Sequence, residues 1–167
     1  MWSPDGSRIL FYSDRGGDFD LYSILLDGTG LTQLTFTSLV NEVQPDWSPD
    51  SARIVFARGS FGTSELEIWT MNADGSDERR LTTLAAVDNV PSYSPDGNRI
   101  LFSSDRLGAS QVFVMNADGS SPMPLTADGG FLADWQPQLT MDGPVSWWRA
   151  EDDALDAVER LVIARNS

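Results

Sequence analysis

The chain repeats itself three times with a period of about 45 residues, and this repetition constrains its fold more than any other feature. Each unit opens with an aromatic residue followed by Ser-Pro-Asp, and the three openings stand at Trp2, Trp47 and Tyr93. Three further landmarks follow in a constant order, namely an Arg with an apolar trio, Asp-Gly-Ser or Asp-Gly-Thr, and Leu-Thr. They lie at 8–11, 53–56 and 99–102, at 27–29, 74–76 and 118–120, and at 34–35, 81–82 and 125–126. Four landmarks in one order, three times over, indicate an internal repeat.

One unit predicts four short strands. Ser-Pro-Asp-Gly is typical of a type I turn, because Pro presets φ at the second position and Gly accepts the left-handed conformation at the fourth. Asn-Ala-Asp-Gly at 72–75 and 116–119 has the same form. These turns predict two tight hairpins in each unit, with a looser loop between the second and third strands at 14–20, 59–65 and 105–110.

Four antiparallel strands every 45 residues or so are the signature of a β-propeller blade. We therefore predict an all-β chain with three four-stranded antiparallel blades over residues 1–137. A β-sandwich with evenly spaced strands is the alternative, and the constant four-strand unit disfavours it. The first unit starts at Trp2 without most of its first strand, and 131–137 offers one more strand. We expect either a fragment of a larger ring or a half-ring that pairs with a second copy.

The repeat over residues 2–137 resembles the TolB-type (WD-repeat-like) propeller repeat. The resemblance rests on Trp-Ser-Pro-Asp-Gly, Arg-Ile-Leu-Phe, Ser-Asp-Arg at 13–15 and 104–106, Met-Asn-Ala-Asp-Gly-Ser and Leu-Thr. It implies that Asp-Trp-Gln-Pro at 134–137 is the closing strand and that the chain is the C-terminal half of a six-bladed ring. The second unit departs from the pattern, with Ser51 at the turn Gly and Gly59 where the other units have Asp14 and Asp105.

The C-terminal segment has a different character. Residues 143–158, which contain Val-Ser-Trp-Trp and Asp-Ala-Val, resemble the start of a laminin-G-like (concanavalin-like) domain. We predict a linker at 138–143 and a separate, short tail at 144–167. The alternative for this tail is an amphipathic helix, with acids near its N-terminal end and Arg near its C-terminal end.

Composition excludes several classes of chemistry. All 11 bases are Arg, and the sequence has no Lys, His or Cys. A Ser-His-Asp triad, a thiol nucleophile, a Schiff base and a His or Cys metal site are therefore excluded. We predict a chain that is not an enzyme, with no catalytic residue, no cofactor and no metal. The net charge of −14 disfavours nucleic acid and anionic membranes as partners, and no apolar run is long enough for membrane insertion.

The loops between second and third strands, with the connections between blades, should share one end of a propeller. We predict that this end binds a protein partner through a mixed acidic and Arg surface, consisting of Asp14, Arg15, Asp18, Arg58, Asp105 and Arg106. The acids at 14–20 could bind calcium, although Asp residues that cap their own backbone are the favoured interpretation. The leading aromatics should pack between blades. The repeated Arg8, Arg53 and Arg99 should pair with the turn carboxylates of Asp5, Asp50 and Asp96.

The resemblance implies a non-enzymatic protein-interaction module of an exported protein, periplasmic or secreted, although the printed sequence has no signal-peptide pattern at its start. The alternative is an accessory domain of a larger secreted peptidase or carbohydrate-active enzyme. A completed laminin-G-like domain would then bind glycan or protein.

Overall fold

The computed structural model describes residues 1–60, 65–127, 129–130 and 133–135. Over these ranges it contains eleven β-strands in three antiparallel sheets and no helix. Each sheet is built from strands in their sequence order, as a propeller blade requires. The predicted all-β fold with three blades is confirmed.

The first blade has three strands and the other two have four, because the first lacks a leading strand. In blade one these are β1 (Arg8–Ser13), β2 (Asp20–Leu25) and β3 (Thr32–Gln33). In blade two they are β4 (Val40–Trp47), β5 (Arg53–Ser60), β6 (Glu67–Asn72) and β7 (Arg79–Arg80). In blade three they are β8 (Asp88–Tyr93), β9 (Arg99–Ser104), β10 (Gln111–Asn116) and β11 (Met123–Pro124). A single bridge from Trp2 to Ile9 stands where blade one would have its leading strand.

The Ser-Pro-Asp turns form as predicted, and the Asp side chain serves the turn itself. In the third blade the Gly97 N–H donates to the carbonyl of Ser94 at 2.8 Å. The Ser94 hydroxyl donates to Asp96 Oδ1 at 2.6 Å and accepts the N–H of Arg99 at 2.9 Å. The same arrangement recurs at Ser3 and Ser48. Each turn carboxylate is thus held by the hydroxyl two residues before it.

The predicted pairing of the repeated Arg residues with these turn carboxylates is wrong. Across the described ranges, no ion pair joins Arg8, Arg53 or Arg99 to its turn Asp. Arg53 instead reaches across its blade to Asp77, at 3.2 Å, and donates to Asn72 Oδ1 at 2.9 Å. The physical reason is that the Ser hydroxyl and backbone N–H groups already occupy the turn carboxylate.

The hydrophobic cores lie between blades. One cluster joins the first blade to the second and contains Trp47, and another joins the second to the third and contains Tyr93. The full sets are Leu10, Leu21, Leu34, Trp47, Ile54, Phe56 and Met71, then Val55, Ile68, Tyr93, Ile100, Phe102, Phe113 and Met115. Trp2 is 63% exposed, because no described blade lies on its side. The leading aromatics at 47 and 93 therefore pack between blades as predicted.

Polar contacts reinforce the same junctions. Asp46 in β4 accepts the N–H of Tyr93 in the next blade at 2.8 Å. Asp18, in the first blade, accepts the N–H of Val40 at 3.3 Å. Each blade therefore depends on its neighbour for both hydrophobic packing and hydrogen bonds.

The C-terminal predictions lie largely outside the described residues. The linker at 138–143 and the tail at 144–167, with its laminin-G-like and helical alternatives, fall there entirely. Of the further strand predicted at 131–137, with its closing segment at 134–137, only 133–135 are described, and these three residues are not in a strand. Ala133 and Trp135 pack on Leu101, Val112 and Val114 of blade three. The Trp135 indole N–H donates to the carbonyl of Ser92 at 3.1 Å.

Candidate functional site

One end of the blades carries the loops between second and third strands and the connections from blade to blade. The described residues of these segments are 14–19, 34–39, 65–66, 81–87 and 105–110, and we call this end the loop face. The antiparallel order of the strands brings these segments together and places the Ser-Pro-Asp-Gly and Asn-Ala-Asp-Gly hairpins at the opposite end. The six predicted partner-binding residues all lie on the loop face or at its border.

Each blade places one guanidinium over a pair of aromatic rings near the loop face. The rings are cross-strand partners, so their spacing is set by the register of the sheet. The distances from guanidinium carbon to ring centroids are 5.4 and 4.6 Å for Arg15 over Phe11 and Tyr22, 5.2 and 4.5 Å for Arg58 over Phe56 and Trp69, and 5.1 and 4.9 Å for Arg106 over Phe102 and Phe113. These distances are those of cation–π contacts.

In the second and third blades a buried carboxylate completes this arrangement. Arg58 Nε lies 2.8 Å from Glu42 Oε1, and Arg106 Nη2 lies 2.7 Å from Asp88 Oδ2. Glu42 and Asp88 are fully buried, and each stands on the leading strand of its blade, five residues before the leading aromatic. We call this set of guanidinium, ring pair and carboxylate the Arg cluster of a blade. The sequence interpretation missed both carboxylates.

The second blade forms its Arg cluster from a different position in the chain. Arg106 belongs to the Ser-Asp-Arg loop and stands seven residues after Arg99, whereas Arg58 stands five residues after Arg53, within β5. Arg58 also contacts Glu78 at 2.7 Å. The departure of the second unit from the repeat pattern therefore changes which residue supplies the guanidinium, while the cluster itself is kept.

In four of the six predicted partner-binding residues, the charged group either forms an ion pair or accepts a backbone N–H. Arg58 and Arg106 have side chains only 9% exposed. Asp18 accepts the N–H of Val40, and Asp105 accepts the N–H of Val87 at 2.8 Å. The two that remain, Asp14 and Arg15, are exposed on the loop face. Binding of a partner by this pair stays a prediction.

Burial shapes the electrostatics of the second blade's cluster. Removal from water raises the pKa of Glu42 to about 7, the nearby Arg58 opposes this shift, and the negative charge of Asp20 adds to it. Burial likewise raises the pKa of Asp20, with the charge of Asp18 adding to the effect. Among the residues that the structure describes, no group of three or more acids is placed to hold a metal ion.

The loop face also exposes large apolar side chains that the sequence interpretation did not single out. They are Phe36 and Leu39 in the first connection between blades, Leu84 in the second, and Leu107 in the β9–β10 loop. Leu39 is the most exposed, at 75%. Sequence offers little signal for them, because a Leu in a connecting segment is as easily buried as exposed.

Three consecutive blades with shared cores and a repeated Arg cluster define the chain as a β-propeller module. Residues 40–160 match the family described as PD40, TolB beta propeller domain. The chain therefore belongs to the TolB β-propeller domain family.

Individual relatives agree with this assignment. A protein described as a TolB homolog from Chlorobium luteolum is 39% identical over 140 residues, which is 83% of this chain and 30% of that protein. The crystal structure of TolB from Acinetobacter baumannii superposes with a TM-score of 0.67 at 27% identity, covering 78% of this chain and 32% of the other. The chain thus spans about a third of the length of each of these relatives.

A more distant structure shares the fold alone. It is a puromycin-hydrolyzing peptidase from Mycobacterium tuberculosis, with a TM-score of 0.62 at 17% identity, covering 76% of this chain and 23% of that enzyme.

Within the described ranges of this chain, no helix has the length and apolar character needed to cross a membrane.

Proposed function

We propose that this chain is a non-catalytic module that binds a protein partner through its loop face. The observation that carries the proposal is the exposure of Phe36, Leu39, Leu84 and Leu107 at the same end as Asp14 and Arg15. Exposed apolar side chains that share a surface with charged groups are a common sign of a protein-binding site.

The charge of the chain indicates which kind of partner fits. Acids outnumber bases by 25 to 11. A partner with a basic surface would therefore be drawn in by long-range attraction, which raises the rate of association and falls with ionic strength. Apolar side chains on the loop face would then supply the short-range contact.

Membership of the TolB family supports a periplasmic location for the protein to which this chain belongs. A similar protein is described as the Tol-Pal system protein TolB of Anaeromyxobacter dehalogenans, 38% identical over 92 residues. The absence of Lys, His and Cys supports a role without catalysis, because imidazole bases and thiol or amine nucleophiles are missing from this sequence.

A pull-down with paired variants tests the role of the loop face. The loop-face variant carries Leu39→Ser, Leu84→Ser and Leu107→Ser. Its matched control changes three comparably exposed apolar residues elsewhere, namely Leu26→Ser, Leu31→Ser and Met123→Ser. Each protein is immobilised, incubated with a bacterial envelope extract and examined by mass spectrometry.

We expect at least one envelope protein to be retained by the original chain and the control but lost with the loop-face variant. Retention should also weaken as salt is raised. Equal retention by both variants would reject the loop face as the binding surface. Capture of the same proteins by all three, or of none, would reject the proposed role.

An accessory role in a larger secreted enzyme is the second candidate. The shared fold with a peptidase several times longer than this chain is the observation in its favour. Reading the nucleotide sequence on both sides of this segment distinguishes the two. A peptidase or carbohydrate-active domain in the same open frame would favour the accessory role, and further propeller repeats alone would favour the binding module.

A further inference from the structure

A cavity lies between blades one and two at the hairpin end, opposite the loop face, and we call it the junction cavity. Its volume is about 360 Å³, which is within the range of sites that bind small molecules. The lining residues come from the hairpins and strands of both blades, all within residues 3–74. Its charged side chains are Asp5, Arg8 and Asp74, and its apolar wall includes Leu34, Trp47 and Ala73.

Arg8 has fewer hydrogen-bond acceptors than the equivalent Arg of the next blade. Arg53 donates to Asn72 Oδ1 at 2.9 Å and to Asp77 Oδ2 at 3.2 Å. The side chain of Arg8 donates only to Ser23 Oγ, at 3.1 Å. Within the described part of the chain, Arg8 forms no ion pair.

The difference comes from two residues inside blade one. The position of Asn72 is occupied by Leu25, which is the cross-strand partner of Arg8. The hairpin position of Asp77 is occupied by Gly30. Neither a Leu nor a Gly has a side chain that accepts a hydrogen bond, so the guanidinium keeps donors free for a ligand. The missing acceptors are thus a property of β2 and the hairpin after it, and not of the leading position of the blade.

Two carboxylates also line the junction cavity, one from each blade. Asp5 uses its Oδ1 to accept the N–H of Ser7 at 2.9 Å. Asp74 uses its Oδ1 in the same way, for the N–H of Ser76 at 2.9 Å. Within the described residues, Oδ2 of each carboxylate is left without a hydrogen bond. The cavity therefore combines one cation that lacks acceptors with two carboxylates that lack donors.

The departure of the second unit at Ser51 serves this same junction. Ser51 replaces the turn Gly at a φ of 60°, and its hydroxyl accepts the N–H of Asp5 at 3.1 Å across the two blades. This contact fixes the two hairpins that form the rim of the cavity. A rim that is ordered before binding lowers the entropy cost of holding a ligand.

We propose that the junction cavity binds a small zwitterion of the dipeptide class, with its carboxylate on Arg8 and its ammonium on Asp74. A guanidinium offers parallel N–H groups that match a carboxylate. A simple anion would be repelled by the two carboxylates of the wall and a simple cation by Arg8, so a ligand that carries both charges fits best. Leu34 and Ala73 suit small apolar side chains between the charged ends.

This inference does not rest on the proposed function, because the junction cavity and the loop face lie at opposite ends of the blades. The loop-face variant should bind the dipeptide as the original chain does. The two ideas can therefore fail separately.

Heteronuclear NMR of the isotope-labelled chain follows binding through the indole N–H signal of Trp47. This indole lines the cavity, and its N–H has no hydrogen-bond partner among the described residues, so its signal should respond to an occupant. The probes are L-alanyl-L-alanine, its N-acetyl form, which has no ammonium, and its C-terminal amide, which has no carboxylate.

Two pairs of variants locate the contacts. Arg8→Gln is compared with Arg99→Gln, and Asp74→Asn is compared with Asp118→Asn. Each control changes the same position of the third repeat unit, outside the residues that line the cavity. Circular dichroism and thermal unfolding establish that every variant is folded.

We expect the dipeptide to shift the Trp47 signal saturably at millimolar concentration in the original chain and in both controls. Blocking either end of the dipeptide, or introducing Arg8→Gln or Asp74→Asn, should weaken binding about tenfold, as the loss of a charge-assisted hydrogen bond implies. The absence of a saturable shift, undiminished binding of either blocked form, or equal losses in a variant and its control would each overturn the proposal.

Discussion

Replacement of Gly75 by Ala should destabilise the chain more than the same change at Gly28, because only Gly75 lies against a neighbouring blade. The two residues occupy the same position in the Asp-Gly hairpins of successive blades. Their φ angles are nearly equal, at 87° and 81°. A Cβ atom at Gly75 would lie 2.6 Å from the carbonyl oxygen of Leu34, whereas at Gly28 it would have no neighbour within 4 Å.

The magnitude follows from two separate costs. An Ala side chain at positive φ destabilises both variants by about 1–2 kcal/mol. Overpacking destabilises Gly75→Ala further, typically by about 1–3 kcal/mol, because the obstructing atom belongs to the backbone and cannot rotate away. Leu34 is itself fixed by its N–H bond to the carbonyl of Leu21, at 2.8 Å. We therefore expect a loss of about 2–5 kcal/mol at Gly75 and about 1–2 kcal/mol at Gly28.

Urea unfolding followed by Trp fluorescence and circular dichroism measures both losses. The slopes of the transitions must agree, so that the midpoints report stability alone. Gly119→Ala provides a second contacting position, since its Cβ would lie 2.9 Å from the carbonyl oxygen of Leu81. Equal destabilisation at Gly28 and Gly75 would refute the reasoning, because it would mean that the hairpin does not lie against the preceding blade in solution.

Three further predictions concern charged groups. Between about pH 4.5 and pH 7 the folded chain holds a proton on Glu42 that the unfolded chain releases, so stability should fall by about 3 kcal/mol as pH rises through this range. Urea titrations at a series of pH values should show this fall, and Glu42→Gln should flatten it; a flat profile for the original chain would contradict the shift. Arg106→Ala should destabilise the chain by about 3–5 kcal/mol, because it leaves the buried carboxylate of Asp88 unpaired. Arg15→Ala, at an exposed position, should destabilise it by less than about 1 kcal/mol. Similar midpoints of the two variants in thermal unfolding would argue against this difference. Hydrogen bonds from the Ser94 hydroxyl and from Asn98 lower the pKa of Asp96 to about 2. Asp96→Asn should therefore reduce stability at neutral pH and lose this effect as pH falls to about 2, and an effect that persists at lower pH would contradict the cause.

The repeat landmarks predicted most of the fold because each landmark is a local device. The Ser-Pro-Asp turn closes over a few residues. The Thr of each Leu-Thr accepts the N–H of a residue on the neighbouring strand, as Thr35 does from Leu21 at 2.9 Å and Thr82 does from Ile68 at 2.9 Å. Interactions of this kind recur at the same spacing in every unit, so sequence alone locates the strands and their order.

The ion pairs could not be predicted in the same way. Glu42 and Arg58 are 16 residues apart in the sequence. Which of the many carboxylates pairs with the guanidinium depends on which one the folded chain buries beside it. The pairing predicted for Arg53 failed because Ser48, two residues before Asp50, holds that carboxylate at 2.6 Å. Arg53 is close to Asp50 in the sequence, but the hydroxyl of Ser48 lies within the turn and is better placed to donate to the carboxylate.

The displaced origin of Arg58 has a consequence for any redesign of these blades by consensus. An alignment of the repeats column by column sets Ser60 against Arg106 and would invite Ser60→Arg, while Arg58 would pass as an unrelated residue. Such a change would direct two guanidinium groups toward one ring pair, and like charges in a partly buried site repel. The blades share the position of the guanidinium in space and not its position in the repeat. A Ser60→Arg substitution must therefore be accompanied by removal of Arg58.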